Sequence, residues 1–487
     1  MTAIRFARGD DGVAFAEVTG EGPRPISVSL VGRRAGVQAR LSGRGRTWRA
    51  TLPLVAARWG GPELPLPTGA YRLLIERGEA TDADVPTEPV SLAQLGTLRA
   101  SWDGAHVRIG PPLDPAFDSG EGQDALERRY AAGRDALENA VFFESFYGRN
   151  ASCNPLAIDR ELARRAPGIH RYWSVVDLSV QVPEGAVAVV EGSPEWWRAR
   201  GSSRLLVVND WMRRRFARRP GQHVLQTWHG TPLKRLALHR PGFDPRRAAA
   251  VVKESRRWDV LLAQNPYAAR ILRKAYAFFR RPIWVEGYPR NDVLVTDDGR
   301  ATRAALGIAP DARVLLYAPT WRDDRDEIVD FVDPAALAEA LGAVVLVRGH
   351  SRTLLPGSDA HGERVVDVTA FPDTSRLLTV ADALITDYSS VMFDFSVTGK
   401  PMYFLVPDME HYRGELRGFY FDLARAAPGP LVRTQDELIH ELRDGDPAAH
   451  AAAYERWRAT FNARDDGRAA ERVVARIIDQ GLVDVEP

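Results

Sequence analysis

Residues 383–401, ALITDYSSVMFDFSVTGKP, contain in one short stretch a strand, a polar turn and a helix, and this pattern decides the fold. The apolar run at 383–385 predicts a buried strand, and the polar residues after it predict a turn. A helix can begin at Ser389, a residue type favoured as an N-cap, and end at Gly399, before Pro401. A strand that leads through a turn into a helix is the repeating unit of parallel α/β sheets.

The same rhythm extends on both sides of this stretch, where apolar runs alternate with amphipathic stretches. The runs are HRYWSVVD, AVAVVEG, RLLVVND, HVLQTWHG, DVLLAQN, IWVEGYP, VLLYAPT, AVVLVRGH, VVDVT, ALITDYS and PMYFLVPD. These eleven strands are many for one open sheet, and the sequence has a polar break near residues 290–300. We therefore predict two Rossmann-like halves, at 124–298 and 299–487.

Upstream, the chain has the pattern of a small all-β domain. Short runs such as PISVSLVG, TWRATLPL and HVRIG are separated by Gly, Pro and charged residues. In the first run, Ile26, Val28 and Leu30 alternate with serines, as in a strand with one wet face. A Pro-, Gly- and acid-rich stretch at 110–123 predicts a linker. The expected organisation is a β-sandwich-like accessory domain at 1–118, ahead of the two α/β halves.

The composition is that of a globular protein, since 45% of the 487 residues are apolar and 26% are charged. A formal net charge of +1 argues against a surface built for nucleic acid, and the single cysteine, Cys153, excludes an intramolecular disulfide. The first residues lack the apolar core of a signal peptide, and no run reaches the roughly 20 apolar residues of a membrane span. We therefore expect a cytoplasmic protein.

Motifs for several common chemistries are absent from the sequence. There is no P-loop, no GxSxG nucleophile elbow, no HExxH and no CxxC. No Asp-x-Asp pair stands at a strand end, so no metal held by the protein is expected, and no cofactor is indicated. These absences argue against ATP hydrolysis and metalloprotease chemistry.

In open α/β sheets, ligands bind at the carboxyl ends of the strands, and the residues that directly follow the apolar runs here are polar. The residues predicted at this edge are His229, Gly230, Thr231, Arg290, Asn291, Thr320, Arg322, Arg348, His350, Asp387, Ser389 and Ser390. Guanidinium groups suit bidentate contact with phosphate, and a seryl helix start offers backbone N–H donors. Two histidines, two arginines and such a helix start predict a diphosphate site, and the nucleotide stays open.

These residues also have structural interpretations. Ser389 can serve only as an N-cap, and Arg322 can pair with a neighbouring aspartate. A lone histidine is more often structural, but His229 and His350 both follow apolar strands at the predicted ligand edge. The segment HGTPLKRL predicts a second helix start, with Thr231 as N-cap and His229 exposed just before it.

Longer segments of the chain resemble the CDP-glycerol glycerophosphotransferase family of teichoic acid and capsule synthesis. The resemblance covers about residues 141–435 and includes FFESFYGRNASCNPLAI, GQHVLQTWHGTPLKRL, EGYPRNDVL, LLYAPTWRDD and DALITDYSSVMFDFSVTGKP. The N-terminal β region lies outside it. The resemblance implies a GT-B architecture, an α/β fold whose two Rossmann-like domains face a cleft, with the donor nucleotide mainly on the C-terminal half.

The resemblance also implies residue roles. His229 and His350 would be the catalytic residues, with His229 in WHGTPLK as the base that acts on the acceptor hydroxyl. His350, Asp387, Ser389 and Ser390 would contact the donor. The family usually has RPH where this chain has RGH. Apart from the resemblance, the further donor or phosphate contacts predicted from the sequence are Gly230, Thr231, Arg290, Asn291, Thr320, Arg322, Arg348 and Lys400. The implied reaction moves glycerol phosphate, or a related polyol phosphate, from CDP-glycerol to a hydroxyl of a lipid-linked or polymeric acceptor and releases CMP.

Two basic-aromatic stretches, at 211–219 and 271–281, predict contact with an anionic membrane or a polyanionic product, and the alternative is a solvated helix face. In the first stretch the candidate residues are Trp211, Arg213, Arg214, Arg215 and Phe216. Together with the lipid-linked acceptor that the family implies, these stretches predict a peripheral location on the inner face of the plasma membrane.

Two other functions stay open from the sequence. A GT-B glycosyltransferase or nucleotide-sugar epimerase shares the strand rhythm, and a catalytically inactive module would only bind polymer. The pairing of TDYSSVMFD with YAPTWRD favours the phosphotransferase over the former, and the histidine pair argues against the latter. The sequence does not distinguish glycerol from ribitol, priming from polymerisation, or wall teichoic acid from capsule, and it leaves the oligomeric state and the role of the β domain open.

Overall fold

The computed structural model describes residues 2–44, 46–77, 80–81, 85–133, 136–320, 331–349, 363–411 and 418–485. The chain forms two compact units. The first comprises residues 1–136, 146–151 and 172–202, and the second comprises residues 137–145, 152–171 and 203–487. The first unit holds an all-β region, and the second holds most of the α/β part.

The β region of the first unit is built from short strands. They are β1 (Ala3–Arg8), β2 (Ala14–Glu21), β3 (Ser27–Gly32), β4 (Gly36–Gln38), β5 (Arg40–Ser42), β6 (Thr47–Pro53), β7 (Val55–Ala57), β8 (Glu63–Pro65), β9 (Gly69–Arg77), β10 (Ala80–Thr81), β11 (Val90–Gln94), β12 (Arg99–Trp102) and β13 (His106–Gly110). One antiparallel sheet has the order β1-β2-β6-β5, and another has the order β11-β12-β13-β9-β3-β4.

The two sheets pack face to face, which confirms the predicted sandwich-like β domain. Val18 and Leu52 from the first sheet share one buried cluster with Leu30 and Val107 from the second. Each strand contributes alternate residues to this core because successive side chains point to opposite faces. The predicted alternation is wrong at Ile26, which is 70% exposed because it precedes the first residue of β3.

The predicted linker at 110–123 is only partly irregular. Helix α1 (Gly120–Ala131) begins inside it, and the Ser119 hydroxyl accepts a hydrogen bond from the Gly122 N–H at 3.0 Å. This helix start was not predicted from the sequence, because two glycines occupy the first turn and glycine is a poor helix former. A good N-cap outweighs them here.

The α/β part contains further strands and helices. The strands are β14 (Glu138–Glu144), β15 (His170–Val175), β16 (Val187–Val190), β17 (Ser203–Val208), β18 (His223–Gln226), β19 (Val260–Ala263), β20 (Ile283–Val285), β21 (Val314–Ala318), β22 (Val344–Val347), β23 (Val365–Asp367), β24 (Ala383–Thr386), β25 (Met402–Leu405) and β26 (Leu431–Val432). The helices are α2 (Cys153–Arg165), α3 (Pro194–Ser202), α4 (Pro245–Ser255), α5 (Pro266–Ala275), α6 (Val293–Thr296), α7 (Arg300–Ala305), α8 (Pro334–Leu341), α9 (Thr374–Val380), α10 (Val391–Phe395), α11 (Met409–His411), α12 (Leu423–Ala426), α13 (Gln435–Asp444), α14 (Ala451–Phe461) and α15 (Ala469–Asp479).

All eleven predicted runs form strands and pair in parallel, which confirms the two Rossmann-like halves. In the second unit, β14, β17, β18, β19 and β20 pair in that order, and a separate sheet has the order β23-β22-β21-β24-β25-β26. In the first unit, β15 pairs with β16. The sequence analysis missed β14 and β26, and β26 has only two residues.

The last helix of the second unit packs on its first half, although the sequence assigns it to the segment 299–487. Helix α15 contacts α2, and the Asp292 carboxylate accepts hydrogen bonds from the N–H groups of Ala469 and Ala470 at 2.9 and 2.8 Å. A carboxylate at a helix N-terminus satisfies otherwise unpaired N–H groups. This return of the chain ties the second half to the first.

A substitution at Gly287 tests the close packing of the segment before α15 against the first half. This glycine has a φ of +80°, and an added Cβ would stand 2.4 Å from the Arg464 carbonyl oxygen. We expect Gly287→Ala to destabilise the protein by about 3 kcal/mol or more, measured by denaturant unfolding. Gly307→Ala is the control, because Gly307 also has a positive φ of +68° but nothing lies within 4 Å of its added Cβ. Equal losses in both variants would contradict the close contact.

Candidate active site

The loops after β18 and β24 meet at the carboxyl edge of the second unit's two sheets. Gly230 lies against Ser390, and a Cβ built on Gly230 would stand 2.8 Å from Ser390 Oγ. A side chain at residue 230 would therefore have to displace Ser390. This contact brings the residue after His229 to the start of α10, so two motifs from different halves share one place.

His229 is oriented by the neighbouring strand. Its Nδ1 lies 2.6 Å from the carbonyl oxygen of Asn209, which directly follows β17. Because a carbonyl can only accept, Nδ1 carries the proton and Nε2 is the basic nitrogen of the neutral ring. The ring also stacks on Trp228, with centroids 4.8 Å apart and planes inclined by 22°. His229 thus has the tautomer and the fixed orientation that a general base needs.

The backbone beside His229 adopts strained conformations. Trp228 has a φ of 53° and Cys153 has a φ of 64°, in the left-handed region that residues with a side chain rarely adopt. Such conformations cost of the order of 1–3 kcal/mol and persist where the surroundings fix them. Asn154 supplies part of that support, since its Nδ2 donates to the carbonyls of Thr227 and Trp228 at 3.3 and 3.1 Å.

Arg290 connects the two halves through its buried guanidinium. Nη1 donates to the His229 carbonyl at 2.9 Å and to Cys153 Sγ at 3.1 Å, and Nη2 donates to Asp394 Oδ2 at 2.7 Å. The Arg290 backbone N–H donates to Asn154 Oδ1 at 3.2 Å. Burial lowers the pKa of Arg290, but Asp394, Cys153 and Tyr288 together outweigh burial, and the pKa is raised. The guanidinium therefore stays charged.

The sequence analysis missed Asn154 and Asp394, although both lie within the quoted motif segments. Neither residue directly follows a strand, because Asn154 lies at the start of α2 and Asp394 lies within α10. The available signal for Asp394 was its spacing, since it stands four residues after Ser390 and residues so spaced share a helix face.

The helix start predicted at Thr231 is wrong, because no helix begins there. The Thr231 hydroxyl donates to Gln264 Oε1 at 2.6 Å and accepts from Asn265 Nδ2 at 3.1 Å. These partners lie between β19 and α5, so the hydroxyl is engaged in a tertiary contact and does not cap a helix. Thr231 therefore fixes the loop that carries His229 to the neighbouring strand end.

Asn291 belongs to a buried polar network around Asp465. The Asp465 carboxylate accepts from Gln264 Nε2 at 2.7 Å, the Tyr288 N–H at 3.0 Å, Asn462 Nδ2 at 3.2 Å and Asn291 Nδ2 at 3.4 Å. Burial raises the pKa of Asp465 to about 6. The Asn291 side chain is fully buried in this network, which indicates support for the site rather than direct contact with a donor.

The predicted donor edge is assembled around Asp387. Both of its carboxylate oxygens accept from the Thr320 N–H, at 2.9 and 3.1 Å. Helix α10 begins at Val391, two residues later than predicted, with Ser390 as its N-cap. The Ser389 hydroxyl accepts a long hydrogen bond of 3.4 Å from the Val391 N–H. Asp387 thus fixes the chain just after β21, and the two serines lie where α10 begins.

Lys400 is not brought to this edge. It precedes β25, at the amino-terminal edge of the sheet, and its Nζ donates to the carbonyls of Thr379 and Ala381 at 3.0 and 2.7 Å. The prediction of a phosphate contact for Lys400 is therefore not supported. Arg348 does lie at the carboxyl end of β22, where Nη1 donates to two backbone carbonyls at 3.0 Å and burial lowers the pKa to about 10.

Arg322 and His350 lie outside the described residues. The segment 211–219 is described and contains no helix, so the predicted alternative of a solvated helix face is wrong there. Within it, Met212 and Arg219 are buried, Trp211, Arg214 and Phe216 are half-buried, and Arg213 and Arg215 are exposed.

Comparison with known proteins agrees with this geometry. The family described as CDP-Glycerol:Poly(glycerophosphate) glycerophosphotransferase matches residues 129–479, so the chain belongs to that family. It is 37% identical over 361 residues to the teichoic acid poly(glycerol phosphate) polymerase of Bacillus subtilis strain 168, covering 69% of this chain and 48% of the relative. It is 34% identical over 378 residues to the teichoic acid glycerol-phosphate transferase of Staphylococcus aureus strain NCTC 8325 / PS 47, covering 70% and 93%.

The chain therefore spans about half the length of the first relative and nearly all of the second. A solved structure of a variant of the wall teichoic acid polymerase TagF matches with a TM-score of 0.68 and 30% identity, covering 74% of this chain and 94% of that one. This likeness confirms the GT-B fold predicted from the sequence.

The buried ion pair between Arg290 and Asp394 can be tested by unfolding. Arg290→Met leaves the Asp394 carboxylate buried without its cation, so we expect a loss of about 3–5 kcal/mol. Adding Asp394→Leu should restore at least half of that loss, since the double variant buries no charge at this point. Arg300→Met is the control, because the Arg300–Asp298 pair is exposed and should contribute at most about 1 kcal/mol. Additive losses in the double variant would contradict the pairing.

Proposed function

We propose that this chain transfers glycerol phosphate from CDP-glycerol to a hydroxyl of a teichoic-acid-type acceptor and releases CMP. The observation that carries the proposal is the hydrogen bond from His229 Nδ1 to the Asn209 carbonyl, which makes Nε2 the basic nitrogen of a residue whose chain neighbour, Gly230, packs against Ser390. The family supports the donor class, and the fixed orientation of His229 supports its assignment as the base.

In the proposed step, the acceptor hydroxyl oxygen attacks the β-phosphorus of CDP-glycerol. A bond forms between that oxygen and phosphorus, the bond from phosphorus to the bridging oxygen breaks, and CMP leaves with the bonding electrons. The hydroxyl proton passes to His229 Nε2, so no covalent enzyme intermediate is needed. The carbonyl of Asn209 keeps the ring oriented during the transfer, because it accepts from Nδ1 both before and after Nε2 takes the proton.

The donor half supports the step by binding the diphosphate. Ser389 and Ser390 lie at the start of α10, and Thr320 is held by Asp387 at the end of β21. Hydroxyl and backbone N–H donors at such a strand edge suit phosphate oxygens. Arg290 is engaged with Asp394 and the His229 carbonyl, so we assign it to positioning the base rather than to the donor.

His229 gives the sharpest test. His229→Ala should lower kcat by about 10²–10⁴ while leaving the Kd for CDP-glycerol, measured by calorimetry, nearly unchanged. Ser390→Ala should instead weaken CDP-glycerol binding. His223→Ala is the matched control, because His223 begins the same strand at the opposite edge of the sheet and should leave kcat near normal. A folded His229→Ala enzyme with near-normal kcat would rule out the base assignment.

We also infer that exposed aromatic and basic groups of the second unit contact an anionic membrane. Phe243 and Phe279 are 88% and 60% exposed. A groove of about 560 Å³ is lined by Phe216, Val252 and Lys253, together with Arg218, Ala249, Arg256 and Arg257. Exposed aromatic and basic side chains together favour anionic lipid surfaces. Among the helices that the structure describes, none combines the length and apolar character needed to cross a bilayer.

Sedimentation with phosphatidylglycerol vesicles tests the membrane contact. Phe243→Ser combined with Phe279→Ser should weaken vesicle binding about tenfold or more, since each phenyl group contributes about 1.5–3 kcal/mol when buried. Added salt should weaken it further. Ile26→Ser removes a comparably exposed apolar side chain from the first unit and should have no effect. Vesicle binding that persists in the double phenylalanine variant would contradict the role of these two side chains.

A further inference from the structure

The outer face of the sheet β1-β2-β6-β5 concentrates arginine. Across the sheet, Arg40 is paired with Thr51, Thr51 with Glu17, and Glu17 with Arg5. Arg49 stands two residues before Thr51 on the same face. Because alternate residues of a strand point the same way, these three arginines lie together on the side of the sheet that faces away from the sandwich core.

Glu17 forms ion pairs with two of these arginines, but it does not neutralise the positive charge of the face. Its carboxylate accepts from Arg5 Nε at 2.7 Å and lies 3.4 Å from Arg49 Nε, and Glu17 itself is only 6% exposed. The hydrogen bond from Arg5 lowers the pKa of Glu17, so the carboxylate stays ionised. The side chains of Arg5 and Arg49 are 64% and 56% exposed. Since both make their closest contact through Nε, their Nη groups can still reach a second anion.

Neighbouring residues add charge of the same sign. Arg24 Nη2 donates to the Leu41 carbonyl of β5 at 2.8 Å, and the turn between β5 and β6 carries the exposed Arg44 and Arg46. The second acid on this face is Glu21, at the end of β2. Among the described residues, the strand face and its adjoining loops thus hold six arginines against Glu17, Glu21 and, in the turn between β1 and β2 at the far end, Asp10 and Asp11, an excess of positive charge on a chain whose total is +1.

The opposite sheet of the sandwich lacks this bias. There one face of β9 carries both Arg72 and Glu76, and Arg108 of β13 forms an ion pair with Asp103. The arginine-rich face is also poor in exposed apolar groups, since its largest apolar side chain, Phe15, is half-buried. Membrane-binding surfaces combine basic residues with exposed apolar ones, so this face suits a soluble polyanion better than a lipid surface.

We propose that the outer face of β1, β2, β6 and β5 binds a phosphodiester polyanion, the class to which the product of the proposed transfer belongs. The identity of the polymer rests on the proposed function, whereas the polyanion-binding surface rests on the arginines alone. Guanidinium groups pair with phosphate oxygens, and neutralising several phosphates releases counterions, so such binding weakens steeply with salt. The face lies outside the family match at 129–479, and it would retain the growing chain without taking part in the transfer.

The test measures how the full-length protein binds fluorescently labelled poly(glycerol phosphate) across a salt series. The triple variant Arg5→Gln, Arg40→Gln and Arg49→Gln should bind about tenfold more weakly or worse, and the slope of log K against log salt should fall by about 2, since each lost contact removes roughly 0.7. Glu17→Gln should bind more tightly than the natural chain, because it removes the acid at the centre of the face. Thermal unfolding verifies that each variant is folded.

The matched control replaces Arg33, Arg72 and Arg108 with glutamine, which removes the same charge from the opposite sheet and the turn beside it. It should bind nearly as well as the natural chain. Equal weakening in both triple variants would overturn the proposal, as would a test variant that loses phosphatidylglycerol vesicles but keeps the polymer. Turnover of CDP-glycerol on a short soluble acceptor should be unchanged in the test variant. A chain that binds polymer through this face but shows no turnover would refute the proposed function and leave the face intact.

Discussion

The buried guanidinium of Arg290 is the contact on which the geometry of the candidate site depends. It joins the carbonyl of His229, the sulfur of Cys153 and the carboxylate of Asp394, so it reaches both Rossmann-like halves of the second unit. A buried charge is tolerated only where hydrogen bonds and a counter-charge satisfy it. The two halves must therefore stand where Asp394 meets Arg290, and that placement also sets Gly230 against Ser390.

Much of the fold follows from local pattern. The eleven apolar runs became parallel strands because a run of that length, flanked by turn residues, has few other ways to bury itself. Gly399 ends its helical stretch as predicted, with a φ of 72° that glycine adopts readily. The helix expected at Thr231 does not form, because its hydroxyl has partners near residue 265 that no local pattern reveals.

The site was only partly predictable for the same reason. The rule that ligands bind at strand ends located His229, Gly230 and Ser390, which the structure does bring together. It could not show that Asn291 faces a buried network, nor that Lys400 lies at the other edge of the sheet. The rule also missed Asp394, because this residue lies within a helix and its ion pair with Arg290 depends on a contact between distant parts of the chain.

The return of α15 to the first half has a consequence for the order of folding during synthesis. The N–H groups that donate hydrogen bonds to Asp292 lie 177 and 178 residues further along the chain, so they leave the ribosome long after the first half has been made. Domains generally fold as they emerge, N-terminal parts first. Here the surface of α2 that α15 covers stays bare until the second half has been translated. The nascent chain therefore exposes an apolar face that chaperones are suited to cover. A chain truncated before α15 would keep that face exposed.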